Sequence, residues 1–245
     1  MRLYHYTSLE NFWKIWITNK LLFANSHVPS NNDYFERRKS FYVSGEECYN
    51  FITEVLCSSD KKKIPNAFSQ LNRYKQISFT KDFCKKEYGF DVLGCLSPMM
   101  WGHYADNGRG VCLEFESDDF EIDVEKVWAD KIHYVDKLRS FKLSAADQIS
   151  VELIDNAIKR QRDVVFFEKS KHWQAENEFR LVSKDIPYLD IRKSIRKIIV
   201  PSYDGKTANL VKKLVNKLDL IYFLTTKEEK GYKELIIAPF TNNSR

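Results

Sequence analysis

Apolar residues recur at Leu9, Phe12, Trp13, Trp16 and Ile17, the spacing of one helix face, so a helix is expected to lie on the core there. Trp13 and Trp16 are then packing residues. Ahead of it, Leu3-Tyr4-His5-Tyr6 reads as a short aromatic strand, and Thr7-Ser8-Leu9-Glu10 as a capping box with Thr7 at the cap. Further strands are expected at 20–24, 76–80, 110–116, 197–201, 221–224 and 234–240. Ser97-Pro98 opens a short helix that stops at Asp106-Asn107-Gly108, and Leu210, Val211, Leu214 and Val215 mark another after the turn Tyr203-Asp204-Gly205. Residues 37–74, with the charge run Lys61-Lys62-Lys63, and 140–170 read as helical insertions. Strands interleaved with helices, ending in a hairpin-like pair, predict one α+β domain over 1–245 with a mixed, mainly antiparallel split sheet and flanking helices.

From Glu176 onward, Glu178, Arg180 and Ser183 alternate with Phe179, Leu181 and Val182, as in a strand entered from a turn. Glu176 and Glu178 would share a face about 7 Å apart at roughly 3.3 Å per residue. A pair so close can act on one substrate; the alternative is a solvated strand face with cross-strand charge pairs, in which Arg180 pairs with Glu114 or Glu178.

Composition narrows the choices. With 245 residues, 43% hydrophobic, the chain has material for an ordinary core. No apolar run reaches the 18 or so residues of a membrane span, and Met1 to His5 is no signal region, so a cytoplasmic protein without membrane contact is expected. Cysteines 48, 57, 84, 95 and 112 form neither a C-x-x-C pair nor an even disulfide set, and read as core thiols with no zinc site. A formal charge of +5 permits an anionic ligand without specifying nucleic acid.

Several separated pieces share one pattern: Leu3-Tyr4-His5-Tyr6-Thr7-Ser8, Asn32-Asp33-Tyr34-Phe35-Glu36, Ile77-Ser78-Phe79-Thr80, Met100-Trp101-Gly102-His103-Tyr104-Ala105, and Trp173-Gln174-Ala175-Glu176-Asn177-Glu178-Phe179-Arg180. In this the chain resembles the bacterial domain of unknown function 2971 across roughly residues 3–185. More distantly, a first-strand His followed by Thr or Ser, an S-x-T strand and a late E-x-E strand resemble the mono-ADP-ribosyltransferase fold. That resemblance implies NAD as substrate, His5 with Thr7 at the adenosine ribose, and Ser78 and Thr80 framing the nicotinamide. It further implies Glu178 on the nicotinamide ribose, Glu176 handling the acceptor, and Tyr104 as a stacking residue.

Elementary chemistry agrees with such roles. Cleaving the bond from nicotinamide to ribose develops positive charge on the sugar, which a carboxylate stabilises, while a second carboxylate removes the acceptor's proton. Arg180, Arg109 or Arg2 could serve the diphosphate. Departures from the pattern are Tyr6 after His5 and the lack of a Gly-rich phosphate loop. The expected acceptor is a protein or nucleic acid, and bacterial transferases of this kind resemble toxins and phage-defence effectors with a cognate antitoxin or defence partner. The rivals are a binding or sensor module that recognises a nucleotide or nucleic acid without turnover, and a metal-dependent nuclease built on Asp33, Glu36, Glu176 and Glu178.

Overall fold

The structure, a computed structural model, describes residues 1–24, 41–43, 70–85, 90–143 and 150–240. Asn32, Asp33 and Glu36, the lysine run at 61–63 and most of the helical insertion expected at 37–74 lie outside the described residues.

In chain order the first elements are β1 (Arg2–Thr7), α1 (Leu9–Thr18), β2 (Lys20–Leu22), β3 (Phe41–Val43), β4 (Lys75–Lys81), β5 (Phe83–Lys85) and β6 (Phe90–Val92). A 3₁₀ turn at Gly94–Leu96 leads into α2 (Pro98–Tyr104), then β7 (Val111–Glu116), β8 (Val127–Lys131), β9 (His133–Val135) and β10 (Phe141–Leu143). The second half holds α3 (Val151–Arg160), α4 (Arg162–Phe166), β11 (Glu168–Ser170), a 3₁₀ segment at Lys171–Glu176 and β12 (Glu178–Ser183). It closes with β13 (Tyr188–Asp190), β14 (Ile195–Pro201), α5 (Gly205–Leu214), β15 (Ile221–Glu229) and β16 (Tyr232–Pro239).

Eight strands form one sheet in the order β16-β15-β14-β7-β1-β4-β12-β8, every pair antiparallel except β14 with β15, which α5 connects. The class is α+β with a mixed, mainly antiparallel sheet, as the sequence predicts. Among the described residues the sheet runs unbroken rather than split, with four two-stranded ribbons beside it. The expected C-terminal hairpin is β15 with β16, turned by Lys230 and Gly231, both at positive φ (53° and 82°), the backbone that matches the strand twist. Residues 140–170 are only partly helical, since Phe141–Leu143 is a strand paired with β3.

Because side chains alternate across a strand, the cross-strand register sorts every central residue onto one of two faces. Leu3, Ile77, Phe79, Leu113, Phe115, Leu181 and Ile198 point to the face covered by α1 and α5, where Phe12, Ile15, Ala208 and Val211 complete the core. Tyr4, Tyr6, Cys112 and Ile199 point the other way, under Cys95, Met100 and Trp101 of the 3₁₀ turn and α2. Farther along this second face, Val182 packs with Ile154, Ala157, Ile158 and Phe166 from α3 and α4. The second face therefore has two apolar patches with a seam between them.

Helix α1 sits rolled away from its expected orientation. Its cap is Ser8, whose hydroxyl accepts from Asn11 N–H at 3.2 Å, while Thr7 ends β1. Phe12 and Ile15 are its buried residues, Trp16 donates its indole N–H to Leu214 O at 3.2 Å, and Trp13 and Ile17 are 42% and 57% exposed. The stripe is centred on Phe12 rather than between Trp13 and Trp16, because Ile15, on the flank of the expected stripe, takes the core position. Trp13→Ala, at a residue still more than half covered, is accordingly expected to cost about 1 kcal/mol. Phe12→Ala should cost about 3–5 kcal/mol. Urea denaturation of both variants checks this, and comparable losses would restore the expected orientation.

Cys95 and Cys112 are buried free thiols, as expected; burial pushes Cys95 up to about 12 and Cys112 well above the usual thiol range. Both are inert protonated core groups. Cys48, Cys57 and the Cys84 side chain lie outside the described residues. No helix among the described residues is long and apolar enough to cross a membrane.

Candidate functional site

The seam on the second face is filled by charge. Lys169 of β11, only 4% exposed, places Nζ 2.6 Å from Glu176 Oε2 and 3.3 Å from Glu178 Oε2. Arg180, two residues along β12, sets Nε and a terminal nitrogen each 2.7 Å from Glu178 Oε1, and its other terminal nitrogen donates to Phe166 O at 2.7 Å. Tyr104, at the end of α2, donates its hydroxyl to Glu176 Oε1 at 2.7 Å. The Glu178 amide donates to Tyr134 Oη at 2.8 Å, and Trp173 lies 5.2 Å from the Lys169 ammonium, ring centroid to nitrogen, with His103 against its edge. Two anions and two cations thus share one water-poor site, each with a named counterpart, as buried charge requires.

Glu176 and Glu178 meet here by a route different from the expected one. Glu176 ends the 3₁₀ segment, and Asn177 turns the chain through the left-handed region (φ 44°) before β12 begins at Glu178. The Asn177 amide donates to Lys81 O (3.3 Å) and Asp82 O (2.9 Å), fixing the turn against the end of β4. The two acids are therefore not i, i+2 partners on one strand; Lys169 draws them together. Their chemistry differs too. Both Glu178 oxygens are taken by cations, whereas burial raises the Glu176 pKa above the usual carboxylate range against the opposing pull of Lys169.

Beyond Glu178 a polar row crosses the sheet. Register pairs Glu178 with Thr80, Thr80 with Tyr4, Tyr4 with Glu114 and Glu114 with Lys197, all on the second face. Lys197 Nζ neutralises Glu114 at 2.7 and 2.9 Å. Tyr4 Oη and Thr80 Oγ1, by contrast, are buried without a hydrogen bond of ordinary geometry among the described residues, Asp82 being the acid that faces the Tyr4 hydroxyl. Gly94 roofs this spot so tightly that a Cβ there would sit 2.6 Å from the Tyr4 ring and from Lys81 O. Only glycine allows that approach.

Of the residues singled out from the sequence, Glu176, Glu178, Arg180 and Tyr104 converge directly, with Thr80 and Ser78 on the same sheet face, opposite Glu178 and Arg180 respectively. His5 and Thr7 do not join them. Odd-numbered β1 residues point into the α1–α5 core, so His5 lies on the sheet face opposite Glu178, its Nδ1 3.1 Å from Ser78 O and its ring 5.9 Å from Phe79. The residues β1 presents to the Glu178 side are Arg2, Tyr4 and Tyr6. Arg2 is tied to Asp82 at 2.8 Å and Arg109 to Asp106 at 3.4 Å, each held by an acid outside the pair. Lys169 and Tyr134 went unread in the sequence. A lysine following Phe166-Phe167-Glu168 was the one available sign, because a charged residue at the end of an apolar run needs a partner.

Burial lowers the His5 pKa below its ordinary 6.5, opposed by the hydrogen bond to Ser78. The folded state thus holds His5 neutral, and the unfolded chain binds the extra proton. Its contribution is fully present above the unfolded value and is lost as pH falls below it. His5→Gln is expected to flatten the stability-versus-pH curve below about 6.5; chemical denaturation from pH 7.5 to 5 reads this, and parallel curves would overturn it.

Residues 100–181 match a family model. It is that of the protein of unknown function DUF2971. The matched DUF2971 segment runs from α2 into β12 and contains Tyr104, Tyr134, Phe166, Lys169, Trp173, Glu176, Glu178 and Arg180, every residue of the charged seam. Of the DUF2971-like pieces read from the sequence, those around His5, Asn32 and Ser78 fall outside it. No curated protein and no solved structure matches the chain. Among the described residues no group of three or more His, Cys, Asp and Glu is placed to hold a metal ion.

Proposed function

We propose that the chain is an enzyme of the ADP-ribosyltransferase kind, acting on NAD and a macromolecular acceptor, with Glu178 and Glu176 as its chemical pair. The observation that carries this reading is a pair of adjoining buried carboxylates in unlike settings: Glu178 between Lys169 and Arg180, and Glu176 on Lys169 and the Tyr104 hydroxyl, its pKa raised by burial. Environments that push a pair apart in this way suit one fixed anion and one proton carrier. Support also comes from the sheet order, since the first strand, the S-x-T strand and the E-x-E strand are neighbours, β1-β4-β12.

NAD fits some of these residues and not others. Tyr4 Oη and Thr80 Oγ1 lie in the same row as Glu178 but are wholly buried under Gly94, so ribose hydroxyls reach them only where that roof lifts. His5, on the other face, has no ribose role; Tyr4 is a first-strand residue on the correct side. In the reaction the bond from nicotinamide nitrogen to ribose C1′ breaks, nicotinamide leaves with the bonding pair, and the acceptor's nucleophile takes C1′. Glu178 hydrogen-bonds the ribose and stabilises the sugar's positive charge, which requires its longer contact, Oε2 to Lys169 at 3.3 Å, to yield. Glu176 accepts the acceptor's proton.

A second reading is a nucleotide-binding or nucleic-acid-binding module without turnover. It is favoured by the two cations that already neutralise the pair. Incubation with NAD and bacterial lysate, with and without EDTA, separates these. Nicotinamide release that survives EDTA supports transfer, activity abolished by EDTA points to a metal-dependent nuclease, and binding without release leaves the module.

A further inference from the structure

Beside the charged seam lies a cleft of about 370 Å³, lined by Tyr74, Trp128, Lys126, Lys159, Arg162 and Lys184. Glu125 and Asp185 are the acids on its wall, so cations outnumber anions there. Two further carboxylates hold these cations: Asp155 accepts from the Tyr74 hydroxyl at 2.7 Å and pairs with both Lys184 (3.0 Å) and Lys159 (3.3 Å), and Asp123 pairs with Lys126 at 2.9 Å. Lys159 and Lys184 share one carboxylate, so neither ammonium has an acid to itself. Among the described residues Arg162 pairs with Asp163 at 3.7 Å, and its side chain, like that of Lys159, is about half exposed.

The wall of the cleft is aromatic. Tyr74 and Trp128 stack with centroids 5.2 Å apart at 23°, Phe166 packs against both, and the Arg162 guanidinium lies 5.8 Å over the Trp128 ring. Cations around a stacked aromatic pair match a ligand with an anionic end and a flat ring, because any base can stack while its phosphate takes the charge. The volume is at the small end of the roughly 300–1,000 Å³ usual for small-molecule sites, which suits one nucleotide unit.

We propose that this cleft binds a nucleotide unit, its phosphate on Lys159 and Arg162 and its base against Trp128. The inference goes beyond the transferase reading, because none of Glu176, Glu178 and Lys169 lines the cleft. The two regions adjoin through Phe166, whose ring backs Trp128 and whose carbonyl accepts from Arg180. A free mononucleotide and one residue of a single-stranded nucleic acid present the same chemistry, and the probes below tell them apart.

The test is calorimetric titration with AMP and with inorganic phosphate at low salt, alongside a fluorescein-labelled single-stranded octa-adenylate followed by anisotropy. AMP is expected to bind at least tenfold more tightly than phosphate, since stacking on an aromatic ring contributes about that much per base. Lys159→Ala/Arg162→Ala, both exposed positions, should weaken AMP at least tenfold with an unchanged melting temperature. Octa-adenylate binding that AMP competes away identifies nucleic acid as the source of the nucleotide; AMP binding without it identifies a free nucleotide. Glu178→Gln should bind AMP as the unsubstituted protein does, even if that substitution or the whole transferase reading fails. The proposal is overturned by no AMP binding at millimolar concentration, by equal affinity for phosphate, or by an undiminished double variant. A folded Glu178→Gln protein that loses AMP would also overturn it, placing the nucleotide at the seam.

Discussion

Arg180→Met is expected to lower the unfolding free energy by about 3–5 kcal/mol, the usual loss when one partner of a buried ion pair is removed. Arg180 is 1% exposed, and without it Glu178 Oε1 and Phe166 O lose donors that water cannot easily replace. For a chain of this size the loss corresponds to a melting temperature lower by about 6–20 °C. Arg180→Met/Glu178→Gln should recover part of it, because an uncompensated charge is then exchanged for a neutral amide. The cycle is measured by thermal and urea denaturation of the two single variants and the double. Additive losses would mean that Arg180 stabilises through packing and its carbonyl contact rather than through Glu178.

How much of this site was legible in the sequence follows from what alternation can and cannot encode. The places of the main-sheet strands other than β8 could be read from alternation, and the capping of α2 by Ser97 because Ser-Pro before an apolar run and Asp-Asn-Gly after it are local signals. The face of β1 could not. Leu3, Tyr4, Tyr6 and Thr7 are all buried, since helices cover both sides of the sheet, and a strand buried on both faces has no polar side from which to assign His5. The phase of α1 was misplaced because tryptophan counts as apolar in a periodicity, although Trp13 lies at the rim, 42% exposed. Glu-Asn-Glu did carry a sign of its turn, as asparagine is enriched at positive φ. Strand β8, which edges the sheet beside β12, has the burial pattern of a half-exposed edge, and its five residues, Val127 to Lys131, are too few for their alternation to stand out.

The roles of the two acids separate by mutation. In the proposed reaction Glu178→Gln should depress both transfer and plain NAD hydrolysis by about a hundredfold or more, the scale of losing one preorganised electrostatic group. Glu176→Gln should instead lower transfer while hydrolysis to ADP-ribose survives, because water needs less help to lose its proton than an acceptor group held in place. The pH profile adds a readout that structural damage would not mimic. A proton acceptor must be deprotonated, and burial raises the Glu176 pKa, so transfer should rise with pH at a point above the usual carboxylate range. In Glu176→Gln that rise should disappear from what transfer remains. Both substitutions also remove a charge that faces Lys169, so melting temperatures must accompany the rates. A folded Glu178→Gln protein with undiminished turnover would sink the catalytic assignment. The seam would then be an ion-pair network that locks α2, β11 and β12 together, and the second reading, recognition without turnover, would be the one left standing.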